Sequence, residues 1–128
     1  MDKSVADLQK KYEELKKKYF NNENDEVIEE CKNILKKNKI DVFYNLLCLA
    51  YNNKGNFLKA INIMNDALNQ NPNNVDFLNN LGMSYANIYK YKKAEEFYKK
   101  GLKIDKNNSQ ILNNLANLKK DLDKTEEA

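Results

Sequence analysis

The side chains best suited to catalysis or metal binding are scarce in this chain of 128 residues. It contains no His, and its two thiols, Cys31 and Cys48, lie much farther apart than the cysteines of a C-x-x-C motif. A zinc site needs a cluster of thiolate, imidazole or carboxylate donors, which two isolated cysteines do not provide. We therefore expect two buried, reduced thiols, with no metal site and no cofactor.

Carboxylates occur as adjacent pairs, such as Glu29 with Glu30 and Glu95 with Glu96. Neighbouring residues on a helix point in different directions, so these pairs predict solvated faces and not a shared proton. Without His, general acid–base catalysis near neutral pH would need a carboxylate, Lys or Cys with a displaced pKa. The sequence also lacks the glycine-rich loop that holds phosphates. We expect that the protein is not an enzyme.

The composition indicates a helical protein, because 3 Gly and 1 Pro supply few of the tight turns that sheets need. The 22 basic residues are all Lys and face 19 acidic ones, giving a net charge of +3. Without Arg, bidentate contacts to guanine or phosphate are impossible, which argues against a nucleic-acid partner. No apolar run is long enough to cross a bilayer, and none follows the first residues as in a secretory signal. We expect a cytoplasmic protein without a membrane partner.

An internal repeat positions the remaining polar side chains. Residues 41–74 align with residues 75–108 without a gap, a shift of 34 residues (75 − 41 = 34). Because solenoid proteins are built from units of this length, such self-similarity indicates a repeat architecture. The identical apolar pairs lie on stripes with helical spacing; they are Phe43 with Phe77, Leu47 with Leu81, Tyr51 with Tyr85, Ala60 with Ala94, and Leu68 with Leu102.

Each unit predicts two helices joined by a turn, so the chain should form seven helices in one domain, 1–128. We expect a degenerate first repeat at 9–40, repeats at 41–74 and 75–108, and a capping helix or truncated repeat at 109–124. Small residues at Ala60, Gly82, Ala94 and Gly101 should lie where helices cross. The predicted helices are approximately 3–21, 24–37, 41–54, 57–70, 74–88, 91–104 and 109–123.

The pattern resembles the tetratricopeptide repeat (TPR), which has a large residue, two spacers, Leu-Gly, two spacers, Tyr, and later Ala, three spacers and an aromatic. The third unit matches with Leu78, Leu81, Gly82, Tyr85, Ala94 and Tyr98, and the second with Tyr44, Leu47, Cys48, Tyr51, Ala60, Met64 and Pro72. The resemblance implies an all-α, right-handed solenoid of antiparallel helix pairs with a concave inner face. In this family that face is lined by the first helix of each pair.

The resemblance further implies a scaffold that binds a peptide or helix of another protein on the concave face. The residues predicted there lie off the apolar stripes; they are Asn45, Leu49, Asn52, Asp76, Asn79, Asn80, Met83, Asn87, Asn113, Asn114 and Asn117. An amide both donates and accepts hydrogen bonds, so rows of Asn could hold the backbone of a bound peptide. The alternative is that Asn is simply abundant throughout the chain, because it is equally dense in the predicted loops.

Three other functions stay open. A co-chaperone module for the acidic tails of Hsp70 or Hsp90 would need paired cations, whereas the matching inner positions carry Asp76 and Asn80. The lysines between 90 and 106 could bind nucleic acid, although they lie mostly on a second, outward-facing helix. Terminal helices with apolar edges, around Tyr12 and Leu115, could make the protein a self-associating assembly subunit.

Overall fold

The structure, a computed structural model, describes residues 4–127, with side chains described as far as residue 124. Seven helices form in this range, and every predicted helix is found. Their ends agree within two residues, except that the last helix ends at residue 127 instead of 123 and that the predicted start at residue 3 lies outside the described residues. The helices are α1 (Val5–Phe20), α2 (Asn24–Lys37), α3 (Asp41–Asn53), α4 (Phe57–Gln70), α5 (Val75–Asn87), α6 (Tyr91–Ile104) and α7 (Ser109–Glu127).

The turn inside each helix pair has the same backbone structure three times. Asn22, Gly55 and Tyr89 adopt positive φ angles of 63°, 78° and 64°. In each turn the next residue donates a backbone hydrogen bond to the carbonyl five residues earlier, for example from Asn56 to Tyr51 at 2.9 Å. This is the Schellman arrangement, in which a left-handed residue ends a helix and satisfies its last carbonyls. The recurring turn makes the two helices of each pair antiparallel.

The connections between pairs use Asn side chains as helix caps. Asn74 Oδ1 accepts a hydrogen bond from the Phe77 backbone N–H at 3.1 Å, and Asn108 Oδ1 accepts one from Ile111 at 3.0 Å. Each cap satisfies one of the unpaired donors at the start of α5 and α7. Each capping residue is the second member of an Asn pair, 73–74 or 107–108, that ends the preceding repeat.

The helices stack so that their first members line one side of the solenoid. Besides the contacts between consecutive helices, α1 contacts α3, α3 contacts α5, and α5 contacts α7. Within residues 4–127 no corresponding contact joins α2, α4 and α6 to one another. The first helices are therefore closer together than the second ones, and the row formed by α1, α3, α5 and α7 is the concave side of a right-handed solenoid.

The core follows the predicted stripes. Phe43 and Phe77 are buried, and each meets the aromatic ring of the preceding repeat edge-on, Tyr12 at 6.0 Å and Tyr44 at 6.1 Å between ring centroids. The small residues predicted at helix crossings are all buried, namely Ala60, Ala94, Gly82 and Gly101. Small side chains at these positions let the helix axes approach closely, so the prediction about their packing is confirmed.

The last helix follows the repeat register but not the burial of the preceding repeat. The alignment pairs Leu112, Leu115 and Ala116 with the buried residues Leu78, Leu81 and Gly82, yet Leu112 is 45% exposed and Ala116 is exposed too. Among the described side chains of α7, the buried ones are instead Ile111 and Leu118, which pack with Ala94 and Tyr98 of α6. The reason is that the described residues contain no second helix of a fourth repeat to cover the Leu112 side of α7.

Candidate partner-binding groove

A groove of about 550 Å³ runs along the concave side. Its walls come from four helices, because residues of α1, α3, α5 and α7 all reach it. The structure brings together eight of the predicted residues here, and adds two more, Tyr12 and Gln110. The predicted residues that line the groove are Asn45, Leu49, Asp76, Asn79, Asn80, Met83, Asn113 and Asn114.

The groove continues into a smaller cavity of about 200 Å³, with which it shares Met83 and Asn114. Two further predicted residues, Asn87 and Asn117, line this second cavity. Asn52 lines neither cavity, because its side chain is used between two helices: its Oδ1 accepts a hydrogen bond from Ser84 Oγ at 3.1 Å. The prediction of Asn52 as a groove residue is therefore the one that the geometry does not favour.

The Asn side chains on the concave side are paired with one another across the repeats. Asn80 Nδ2 donates to Asn45 Oδ1 at 2.9 Å, and Asn114 Nδ2 donates to Asn79 Oδ1 at 2.8 Å. Both bonds join residues 35 apart, so the same link recurs from α3 to α5 and from α5 to α7. Asn79 and Asn80 are only 6% and 7% exposed, which means that these amides chiefly hold neighbouring repeats together.

A second polar contact joins α3 to α5 beneath the groove. Ser84 Oγ lies 3.8 Å from Cys48 Sγ and 3.0 Å from the Asn80 carbonyl oxygen, so its one hydroxyl proton is shared between that oxygen and Asn52 Oδ1. Burial raises the pKa of the Cys48 thiol to about 12, and burial likewise raises that of Cys31 to about 12. Both thiols are therefore protonated and shielded at neutral pH, as expected for buried structural cysteines.

The groove is acidic although the chain as a whole is basic. Asp76 is the one charged residue that lines the larger cavity within the described part of the chain, and Asp121 lies in the smaller one. At the α1 end Lys16 lies 5.4 Å from the centre of the Tyr12 ring, but its ammonium group pairs with Glu13 at 3.8 Å. The lysines of α6, such as Lys92, Lys93 and Lys103, are on a second helix, away from the concave row.

Tyr12 and Gln110 were missed as groove residues for different reasons. Tyr12 lies on the apolar stripe of α1, where periodicity predicts a core residue, but it is only half-buried and it also lines the groove. Gln110 follows Asp76 by one repeat length (110 − 76 = 34), so the repeat register already contained the signal for it. Residues at the shared edge of the core and groove cannot be divided between the two by periodicity alone.

Fold and groove together define a helical-repeat protein of the TPR type. The chain belongs to the family described as the Psidin N-terminal TPR repeats region, whose model matches residues 21–113. That range contains both well-formed repeats and most of the concave side. No curated protein matches the chain by sequence.

Several solved TPR domains have the same fold. The TPR domain of Sgt2 from Aspergillus fumigatus is 20% identical and superposes with a TM-score of 0.84, covering 94% of this chain and 82% of that chain. The first TPR of Spaghetti (RPAP3), bound to the HSP90 peptide SRMEEVD, is 21% identical with a TM-score of 0.78, covering 86% and 88%. The TPR2AB–pHSP90 complex of yeast Sti1 is 27% identical with a TM-score of 0.84, covering 96% of this chain and 50% of that one.

None of the helices formed by residues 4–127 combines the length and the apolar character needed to cross a bilayer.

Proposed function

We propose that this chain is a protein–protein interaction scaffold that binds an extended or helical segment of a partner in its concave groove. The observation that carries the proposal is the continuity of the groove across α1, α3, α5 and α7, with mostly polar side chains and a few apolar ones lining it. A groove that spans several repeats can contact a peptide at many points, which suits recognition of a segment better than that of a small molecule. The TPR fold and its peptide-bound relatives support this proposal.

The side chains suited to the contact are those with exposed polar atoms or apolar surface. Asn113 and Gln110 are exposed on α7, and Asp76 is exposed on α5. Leu49 and Met83, at equivalent positions of adjacent repeats (83 − 49 = 34), are half-buried in the groove and offer apolar contacts. The paired amides of Asn79 and Asn80 contribute mainly by fixing the spacing of the first helices.

A module for the acidic tails of chaperones is the second candidate, because relatives with the same fold bind HSP90 peptides. A terminal carboxylate with neighbouring acidic side chains needs paired cations that are fixed in the groove. Among the described residues the groove offers the carboxylate of Asp76 instead of a Lys pair. We therefore favour a scaffold for another class of peptide over a chaperone-tail module.

The test is a selection of short random peptides displayed on phage against the immobilised chain. Peptides that bind should lose at least about tenfold in affinity for a variant with a sterically filled groove, Leu49→Trp with Asn113→Trp. The matched control is Leu58→Trp with Asn65→Trp, which changes the same residue types at exposed positions of α4.

Circular dichroism should show that both variants keep the helical content and unfolding midpoint of the parent. Binding that survives the filled groove but is lost with the α4 variant would move the site to the convex side. Failure to enrich any peptide would contradict the proposed function.

A further inference from the structure

We propose that the segment held in the groove is basic, with a Lys or Arg opposite Asp76, and that it inserts one large apolar side chain into a cavity between α1 and α3. This inference rests on the proposed function and adds the chemistry of the partner. Two independent features of the structure carry it, the charge distribution of the concave side and the apolar cavity at one end of the groove.

The first feature is the separation of charges between the two sides of the solenoid. The chain has a net charge of +3, and several lysines pair with carboxylates away from the groove. Lys11 lies 2.6 Å from Glu30, Lys18 lies 2.9 Å from Glu26, and on α6 Lys99 lies 3.7 Å from Glu95. No Lys lines the groove or the smaller cavity, as far as residues 4–124 describe them, although Lys is abundant in the chain.

Asp76 is an exposed carboxylate that lines the groove without an ion-pair partner among the described residues. Its position in the first turn of α5 suits the helix dipole, so it has a structural role as well. Facing the groove, however, it attracts a cation and repels an acidic tail. Since one exposed ion pair contributes little, the charge should tune which segment binds more than how tightly it binds.

The second feature is an apolar cavity of about 370 Å³ at the α1 end of the concave side. Its size lies in the range of about 300–1,000 Å³ that ligand pockets have. Tyr12 lines both this cavity and the groove, so a segment lying in the groove can reach the cavity without leaving the surface. The apolar residues around it are Val5, Leu8, Tyr12, Ile40, Val42 and Phe43.

The cavity carries no charged side chain among its lining residues, and Val42 at its edge is 38% exposed. An apolar side chain that fills it would remove apolar surface from water at both partners, which favours binding. The groove then supplies direction and charge preference through Asp76. Together they describe a segment with an apolar anchor and a nearby cation.

The experiment reads the sequences of peptides enriched by the selection on the parent chain. We expect a surplus of Lys and Arg over Asp and Glu, and at least one large apolar residue in each enriched peptide. A repeat of the selection on Asp76→Lys should reverse the charge preference and enrich acidic peptides, whereas the control Asp66→Lys, an equal charge change at an exposed position of α4, should leave it unchanged. For a single basic peptide, Asp76→Asn should weaken binding by about threefold to fivefold.

The anchor is tested with Val42→Glu, whose control is Leu58→Glu at another exposed aliphatic position. Only Val42→Glu should weaken binding, by about tenfold, and replacing the apolar residue of the peptide by Ser should have the same effect. Acidic or uncharged peptides that bind in the groove would overturn this inference and leave the proposed function standing. A concentration-dependent mass of the parent chain that Val42→Glu abolishes would assign the cavity to a second copy, and would also overturn it.

Discussion

Helices α5 and α7 occupy equivalent positions in successive repeats, and yet they are buried to very different extents. Leu78 and Leu112 are one repeat length apart, but Leu78 is 4% exposed and Leu112 is 45% exposed. Helix α5 lies between α3 and α4 on one side and α6 and α7 on the other, whereas α7 contacts α5 and α6. The apolar pattern of a repeat therefore identifies which helix face can be buried. Whether that face is buried depends on the neighbouring helices.

The largest expected effect comes from truncating the two equivalent leucines. Leu78→Ala should lower the free energy of unfolding by about 2–5 kcal/mol, because it leaves a cavity under α6. Leu112→Ala should lower it by less than about 1 kcal/mol, because much of that side chain is already in water. Urea denaturation followed by circular dichroism measures both. Equal losses at the two positions would show that another molecule covers α7 in solution.

The second prediction concerns the column of small residues, Gly82 in α5 and Ala116 in α7. A Cβ at Gly82 would lie 2.5 Å from Cε1 and 2.7 Å from Cδ1 of Tyr98, whose ring is buried. Gly82→Ala should therefore destabilise the protein by about 1–3 kcal/mol, despite the better helix propensity of Ala. Ala116→Leu, the larger change at the equivalent exposed position, should have almost no effect.

A double-mutant cycle with Tyr98→Leu separates this clash from other causes. The loss at Gly82→Ala should shrink by at least about 0.5 kcal/mol when the ring is absent. An unchanged loss would mean that the ring of Tyr98 is not what requires glycine at this position.

The repeat and its helices could be predicted almost completely from the sequence. A gapless shift that matches Phe43 with Phe77 and Ala60 with Ala94 fixes the phase of both helices in a unit, and the Asn residues before α5 and α7 mark their starts. Local periodicity and capping chemistry are sufficient for this level because both depend on residues close in the chain. Burial of α7 was not predictable in the same way, because it depends on a neighbouring helix.

The sequence predicts which residues line the candidate groove but not the hydrogen bonds among their side chains. The residues that line it follow from the 34-residue register, but the hydrogen bonds join Asn45 to Asn80 and Asn79 to Asn114, a spacing of 35. That extra residue reflects the offset between stacked helices, which no single-helix pattern contains. The sequence therefore could not reveal that these amides bind one another first.

The third prediction uses the thiols to measure how well the inner repeats are covered. Burial raises the pKa of Cys31 and of Cys48 to about 12 in the folded protein, whereas the unfolded thiols ionise near 8.5. Above about pH 8.5 the unfolded thiols lose protons that the folded thiols keep. The free energy of unfolding therefore keeps its full value below about pH 8.5 and falls as the pH rises toward 12. The decrease should be about 1.4 kcal/mol per pH unit for each thiol, measured by urea denaturation between pH 8 and roughly 10.

The matched variant places a thiol on α7, at the exposed position that is equivalent to Cys48 in the repeat register. Cys48 and Ala116 are two repeat lengths apart, so Ala116→Cys tests an equivalent position without a cover. This new thiol should react rapidly with iodoacetamide in the folded protein and should not steepen the pH dependence, while the double variant Cys31→Ala, Cys48→Ala should flatten it. Rapid native-state labelling of Cys48 would contradict the burial on which the comparison depends.

The smallest effect is expected at Gly101, where two terms oppose each other. A Cβ there would lie 2.5 Å from Cδ1 of Ile111 but at ordinary contact distance, 3.8 Å, from Leu78 and Val75. The terminal methyl can shift, although Ile111 is buried. Strain should therefore roughly cancel the gain of about 1 kcal/mol in helix propensity, which leaves the free energy of unfolding of Gly101→Ala within about 0.5 kcal/mol of the parent.

The variant Ile111→Val removes that methyl alone. In this background Gly101→Ala should raise the free energy of unfolding by about 1 kcal/mol, because the new methyl occupies the space that was vacated. A loss of stability in both backgrounds would show that backbone spacing between α6 and α7, and not the Ile111 methyl, requires glycine there.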